Sequence, residues 1–255
     1  MKPEEFITLE RAEETHWWYL GLRDFLEKMI QRHLPSPPQR VLDAGCGTGA
    51  NLRLMKRLFN PGYLGGFDVS EASLASSSRK VPGADLYASS IVEPHLQSKD
   101  LDLVISMDVV YMVGLQEAMA GLKTLVSALR PGGLFILHLP AYNWLKSAHD
   151  VAVGTKERYT SNDMRVLAQE LGMETLWRGY RVCLWFPMVL LARLPSMIVP
   201  AQVSSARSDL DPPPSWVNSL LAQGLFTENS LIAHGLVPPW GSSVALVMRK
   251  TLQTP

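Results

Sequence analysis

The residues best placed to do chemistry lie in and around "VLDAGCGTGAN", Val41 to Asn51. Gly45, Gly47 and Gly49 alternate after a short apolar run, and Ala50 completes the looser G-x-G-x-x-G/A spacing. Glycines at that density let the backbone approach a ligand closely and aim the amides of the next helix at it. Asp68 ends the following apolar run, "GGFD", where a carboxylate can accept hydrogen bonds from both hydroxyls of a ribose. These features suit an adenosine-bearing ligand, and the glycines by themselves do not choose which one. Asp43 does more. A pyrophosphate beside it would meet like charge, whereas a ligand with a cationic amino acid end would be attracted.

Two histidines are candidate general bases. His149, followed at once by Asp150, lies beyond the fifth expected strand, and His16 lies in "THWWYLGLR". His138 falls inside an expected strand and reads as a core or sheet-face residue, while His33, His95 and His234 receive no role. No histidine and carboxylate pair has metal-ligand spacing, so no metal is expected. Trp17, Trp18 and Tyr19 are adjacent, and neighbours on a helix point about 100° apart, so some of them should face the cleft rather than the core. Tyr142, Trp144, Arg158 and Tyr159 are further candidates for its rim.

The elements that position these residues alternate between the two periodicities. Residues 5–33 read as helix, stopped by "LPSPPQ", since proline removes a donor and biases its predecessor away from the helix. "RVLDAG" reads as a strand, "NLRLMKRLF" as an amphipathic helix, "GYLGGFDVS" as a strand, and "SEASLASSSRK" as a helix capped by Ser70. "ADLYASS" and "LDLVISMDVVYM" are strands, a helix follows through Leu129, "RPGG" turns, and "LFILHLP" is a fifth strand. Such alternation makes a parallel sheet covered on both faces. Beyond it come the helix "YTSNDMRVLAQELG", capped by Thr160 or Ser161, and two more strands, "METLWRGY" and "SSVALVMRK". About sixty residues separate those strands, too many for a structureless loop.

The 255 residues carry 24 acidic and 24 basic side chains and are 47% hydrophobic. That length is ample for a sizeable core, and zero net charge gives no reason to expect a nucleic acid partner. Two distant cysteines and an acidic N-terminus without an apolar stretch read as a reduced, cytoplasmic protein. The longest apolar run, Val182 to Ala192, is far short of the ~18 residues that would suggest a membrane span.

"VLDAGCGTGAN", "GGFDVS", "LDLVISMDVV" and "LRPGGLFIL" together resemble the successive motifs of class I S-adenosylmethionine-dependent methyltransferases. The resemblance covers roughly residues 10–180. "EETHWWYLGLR" and "PAYNWLKSAHD…ERYT" look like a bacterial branch of that superfamily. It implies a Rossmann-like α/β fold: a seven-stranded, mostly parallel sheet with an antiparallel last strand, "SSVALVMRK". Residues 1–39 would form an N-terminal helical cover, and residues 40–255 the methyltransferase domain, with a helical insertion at about 182–239.

By motif matching, Asp43, Ala44, Gly45 and Gly47 would surround the methionine end of S-adenosylmethionine, Asp68 would hold the ribose, and Val69 would pack on the adenine. Ser89 and Ser90 stand where the family often has an aspartate for the adenine amino group. Met107 and Asp108 would lie beside the adenosine and the methionine, and Met112 replaces a histidine common in the family. Trp17 could offer an aromatic face to the sulfonium, and Arg23 lies on the His16 face of the same helix.

The expected function is methyl transfer to an O, N or C atom of a small, apolar, natural-product or lipid-like acceptor. The apolar insertion suits a lid, a dimer surface or a peripheral membrane contact. Two alternatives stand beside this reading, an NAD(P)-dependent oxidoreductase and a non-catalytic cofactor-binding module of the same fold.

Overall fold

A computed structural model of the protein describes residues 10, 12–198 and 213–251, without the side chains of residues 148, 149, 152 and 194–198. Seven strands form one sheet: β1 (Arg40–Ala44), β2 (Tyr63–Asp68), β3 (Asp85–Ala88), β4 (Leu101–Met107), β5 (Leu129–Pro140), β6 (Met173–Arg181) and β7 (Ser243–Lys250). Their order is β3-β2-β1-β4-β5-β7-β6. Val41 pairs in parallel with both Leu64 and Leu103, and Val104 with Phe135. Strand β7 runs antiparallel to both β5 and β6, as expected of the closing strand.

Alternation along the strands feeds two cores. Leu42, Val104, Phe135 and Leu137 face helices α4 (Leu115–Ala128) and α6 (Ser161–Glu170) through Leu122 and Met164. Val41, Leu103, Ile105 and Ile136 face α1 (Trp17–His33) and α2 (Ala50–Phe59) through Phe25, Met29, Leu52 and Met55. Helix α3 (Glu71–Lys80) joins that second face through Leu74. A strand whose successive side chains are all buried must have both its faces covered, and β1 meets that condition over its last four residues.

Local chemistry explains most boundaries. Ser70 Oγ accepts from Ser73 N at 3.2 Å, and Thr160 and Asp163 form a reciprocal capping box at the start of α6. The "RPGG" turn lies within β5 as a looped-out segment, because Leu101 pairs with Leu129 but Leu103 pairs with Leu134. One sequence expectation is corrected: the first helix is not continuous. His16 takes an extended conformation (φ −70°, ψ 132°), and its Nδ1 accepts from Trp18 N at 3.3 Å, so it caps α1 and separates it from the helical residues 12–15.

Among the described residues, the insertion supplies helices α7 (Phe186–Ile198) and α8 (Ser215–Ala233). Helix α8 lies on α1 so closely that a Cβ on Gly21 would overlap the Leu225 side chain. Leu221, Ala222 and Leu225 bury against Trp17 and Val182 in a third cluster. Leu184, Leu191, Trp216 and Leu220 remain exposed on the insertion. Among the described residues, no helix is long and apolar enough to cross a membrane.

Candidate active site

The glycine loop joins β1 to α2, and all three of its alternating glycines have positive φ (85°, 52° and 84°), a region that costs other residues free energy. They serve different ends. A Cβ on Gly45 would overlap Val109, and one on Gly49 would overlap Ser77, whereas one on Gly47 would meet nothing within 4 Å. Gly45 and Gly49 are therefore packing requirements, and Gly47 faces open space. Gly45 N and Cys46 N both donate to Phe67 O at 2.9 Å, which ties the loop to the end of β2. Asp68 adds a second tie: its Oδ2 accepts from Gly47 N at 3.0 Å, and its Oδ1 accepts from Ser70 N at 2.9 Å.

Beneath this loop lies Asp43, fully buried, with no hydrogen-bond partner for either carboxylate oxygen. Burial above all, then the charges of Asp68 and Glu13, push its carboxyl pKa up to about 8. Glu13 itself accepts from Thr48 Oγ1, lies 3.5 Å from Lys80 Nζ, and is raised by burial. Three carboxylates from the cover segment and the first two strands thus surround one glycine cradle. That arrangement disfavours a pyrophosphate, which would raise the Asp43 carboxyl further, and favours a cation, which would draw the proton from it. Glu13 escaped sequence reasoning, because its only signal is membership of the acidic run before "HWWY".

At the end of β4, Met107 is buried and Asp108 adopts the left-handed conformation (φ 57°). Asp108 N donates to His138 O, and both its carboxylate oxygens lie within 3.0 Å of His138 Nδ1. On the far side of the ring, Arg181 Nη1 lies 3.0 Å from Nε2. A guanidinium has only donors, so Nε2 accepts, and the ring proton sits on Nδ1 and donates to Asp108. Burial, the dominant influence, lowers the imidazole pKa and keeps the ring neutral. The expectation of a core histidine was right about burial and missed this connection.

The other expected residues fall into three groups. Near the loop, Ala44 is buried, and its carbonyl accepts from Ser106 Oγ at 3.1 Å. Val69 is 73% exposed, open to packing on a ligand. Ser89 Oγ accepts from His95 N at 3.0 Å and Ser90 Oγ from Val92 N at 3.2 Å, so both serines brace their own loop.

On the cover, Trp17 is buried against the insertion, and Trp18 packs edge-on to His138 at 5.9 Å. Tyr19, whose hydroxyl is raised mainly by burial, feels the charges of Glu13, Asp108, Tyr111 and Arg23. Arg23 is half-buried, and burial, opposed by Glu14 and Glu13, lowers its guanidinium.

Beyond β5, His149 sits in the short helix α5 (Ala148–Val153), and its side chain lies outside the described residues. Asp150 is committed elsewhere. Its oxygens accept from Arg158 Nε at 2.6 Å and Nη2 at 3.1 Å, and from Ser147 N at 2.8 Å. Arg158 and Tyr159 are each 4% exposed and build the loop rather than its rim, which corrects that expectation. Tyr142 and Trp144 do lie at the surface, stacked 5.3 Å apart, with Tyr180 and Phe186 against Tyr142. A groove of about 560 Å³ lined by Leu115, Met119, Tyr159 and Glu170 runs along α4 and α6 and shares no residue with the glycine loop. Among the described residues, no group of three or more His, Cys, Asp or Glu could hold a metal ion.

Sheet order, antiparallel β7 and the glycine loop after β1 together define the class I methyltransferase fold. Residues 41–133 match the family described as a methyltransferase domain. That segment, from β1 to the turn within β5, is therefore similar to a methyltransferase domain, and the sheet around it has the fold of such enzymes.

Among curated proteins, the trans-aconitate 2-methyltransferase of Variovorax paradoxus (strain S110) is 33% identical over 101 residues, 40% of this chain and 38% of that protein. The enzyme of the same name from Acidovorax sp. (strain JS42) is 28% identical over 117 residues, 44% of this chain and 43% of the relative. The chain thus matches less than half the length of these relatives.

Solved structures extend the likeness of fold to nearly the whole chain. The methyltransferase solved with the Haloferax volcanii Trm112 activator has a TM-score of 0.60 at 15% identity, covering 96% of this chain and 94% of that one. The plantazolicin methyltransferase BpumL, solved with S-adenosylhomocysteine and a pentazolic desmethylPZN analogue, has a TM-score of 0.60 at 12% identity over 98% and 92%. An S-adenosylmethionine-dependent methyltransferase from Mesorhizobium loti has a TM-score of 0.58 at 17% identity over 87% and 95%.

Proposed function

We propose that this chain transfers the methyl group of S-adenosylmethionine to an O, N or C atom of a small, largely apolar organic acceptor. The observation that carries the reading is Asp43, a buried carboxylate without a hydrogen-bond partner beneath a glycine cradle that opens at Gly47. Leaving such a group unpaired is costly, and a ligand ammonium would relieve it. Gly45, Gly47 and Ala44 shape the cradle for the amino acid end, Asp68 takes the ribose hydroxyls, and Val69 packs on the adenine. Ser89 and Ser90 flank the adenine, with Met107 and Asp108 on the opposite side of the adenosine.

The cofactor supplies an already activated methyl on its sulfonium, transferred by in-line displacement. The chain's own task is alignment and exclusion of water, for which proximity can lower the barrier by ~7–11 kcal/mol. Trp18 and Tyr19 close one side from the cover, Trp17 anchors that helix on the insertion, and Arg23 fixes the charge balance of Glu13 and Glu14 there. Where the acceptor arrives protonated, His149 or His16 takes the proton. Tyr142, stacked on Trp144 and on Tyr180 near the end of β6, with Phe186 edge-on to Trp144, favours an apolar or planar acceptor.

The test is titration calorimetry of the full chain with S-adenosylhomocysteine and with NAD(P), followed by an acceptor panel with S-adenosylmethionine read by formation of S-adenosylhomocysteine. Binding of S-adenosylhomocysteine with turnover supports the reading. Binding of NAD(P) in its place would overturn it in favour of an oxidoreductase, and cofactor binding without turnover across the panel would favour a non-catalytic module. Turnover lost in His149→Ala but kept in His16→Ala would assign the base.

A further inference from the structure

Among the described residues, Arg181 is the largest fully buried side chain, and it lies at the end of β6 rather than in the glycine loop. A buried guanidinium is expensive unless several acceptors surround it. Its Nη1 donates to His138 Nε2, and its Nη2 donates to Gly21 O at 3.0 Å and to Asn229 Oδ1 at 3.3 Å. Its planar face lies 4.4 Å over the Phe25 ring. Asn229 in turn donates to Gly21 O and to Asp24 Oδ2, both at 2.8 Å. One cation therefore joins the cover helix α1, the insertion helix α8 and, through a neutral imidazole, the carboxylate of Asp108.

We propose that His138 and Arg181 are positioning residues that orient the Asp108 carboxylate for the cofactor and link that orientation to the docking of α1 and α8. This rests on the reading of Asp108 as a cofactor contact. The direction of the hydrogen bonds is what makes the link work. Arg181 can only donate, which leaves Nε2 bare and obliges Nδ1 to carry the proton that Asp108 accepts. Asp108 has a strained left-handed backbone, and this bond, with the bond from its own N–H to His138 O, holds it there. Loss of the Nδ1 proton donor would free the carboxylate to turn while leaving the sheet intact.

Two isosteres separate positioning from packing. In His138→Asn the side-chain amide falls near Nδ1 and keeps a donor for Asp108. In His138→Gln the polar atoms fall near Nε2, so the contact with Arg181 survives and the donor to Asp108 is lost. Calorimetry with S-adenosylhomocysteine should show affinity for His138→Asn within about twofold of wild type. For His138→Gln it should be weakened about tenfold or more, the size expected of a charge-assisted hydrogen bond. Thermal melts of both variants supply the folding control.

Equal losses of affinity in the two variants, tracking their melting temperatures, would overturn the proposal in favour of a packing role. Unchanged affinity in His138→Gln would also overturn it. Failure of the wild-type protein to bind S-adenosylhomocysteine would instead sink the functional reading. Imidazole ¹⁵N spectra of the ligand-free protein judge the relay separately: they should show Nδ1 protonated and Nε2 bare, and the reverse tautomer would refute it.

Discussion

Asp68 and Gly47 meet across the ends of the first two strands: Gly47 N donates to Asp68 Oδ2 at 3.0 Å while Ser70 N donates to Oδ1 at 2.9 Å. One carboxylate therefore fixes the open glycine of the β1 loop and the start of α3 together. Asp68→Ala should abolish this tie and weaken binding of S-adenosylhomocysteine by at least tenfold, about 1.4 kcal/mol, in calorimetry. Asp68→Asn keeps one acceptor and should lose less. Unchanged affinity in Asp68→Ala would mean that the ribose is held elsewhere.

Asp43 predicts a pH dependence with a defined sign. Its carboxyl is raised from an ordinary 3.8 to about 8, chiefly by burial. Between those values the folded chain holds a proton that the unfolded chain has released, so this group makes stability fall as pH rises from about 4 to about 8. Thermal melts across that range should fall more steeply for wild type than for Asp43→Asn. A cationic ligand group beside Asp43 would eject the proton. Binding of S-adenosylhomocysteine at pH 7 should therefore release about one proton, measured by calorimetry in buffers of different ionisation enthalpy.

The glycines should separate by function. Gly45→Ala places a Cβ against Val109 at positive φ and should destabilise the fold by about 2 kcal/mol or more. Gly47→Ala meets no protein atom, so its stability cost is confined to the backbone, about 1 kcal/mol, while cofactor binding suffers more. Melting temperature and calorimetric affinity of the two variants give the comparison.

Asp150 should prove structural. Removing one partner of its buried pair with Arg158 strands a charge, so Asp150→Ala should cost about 3–5 kcal/mol in chemical denaturation. Hydrogen bonding and charge from Arg158 hold its carboxyl below the ordinary value despite the opposing effect of burial. That stabilisation is present above pH about 4 and is lost as pH falls below it, the opposite sign to Asp43. An unaltered acid limb of the stability profile in Asp150→Asn would contradict the assignment.

Much of the scaffold was legible because its signals are local. Strand–helix alternation, the Ser70 and Thr160 caps and the proline stop after His33 each depend on residues a few positions apart, so periodicity and capping chemistry sufficed. The break at His16 was not legible, because a histidine acting as a helix cap looks like any residue inside a helical run.

The sequence by itself determined the order of the elements, the glycine loop and the two acids, Asp43 and Asp68, that flank it. The tertiary structure decided the states of those groups. It stripped Asp43 of partners, brought Glu13 to the loop from the cover segment, turned Asp150 toward Arg158, and joined Asp108 to Arg181 through His138. Each of these depends on burial and on neighbours far away in sequence. A carboxylate's protonation and a histidine's tautomer are set by surrounding dielectric and hydrogen-bond direction, which spacing along the chain does not encode.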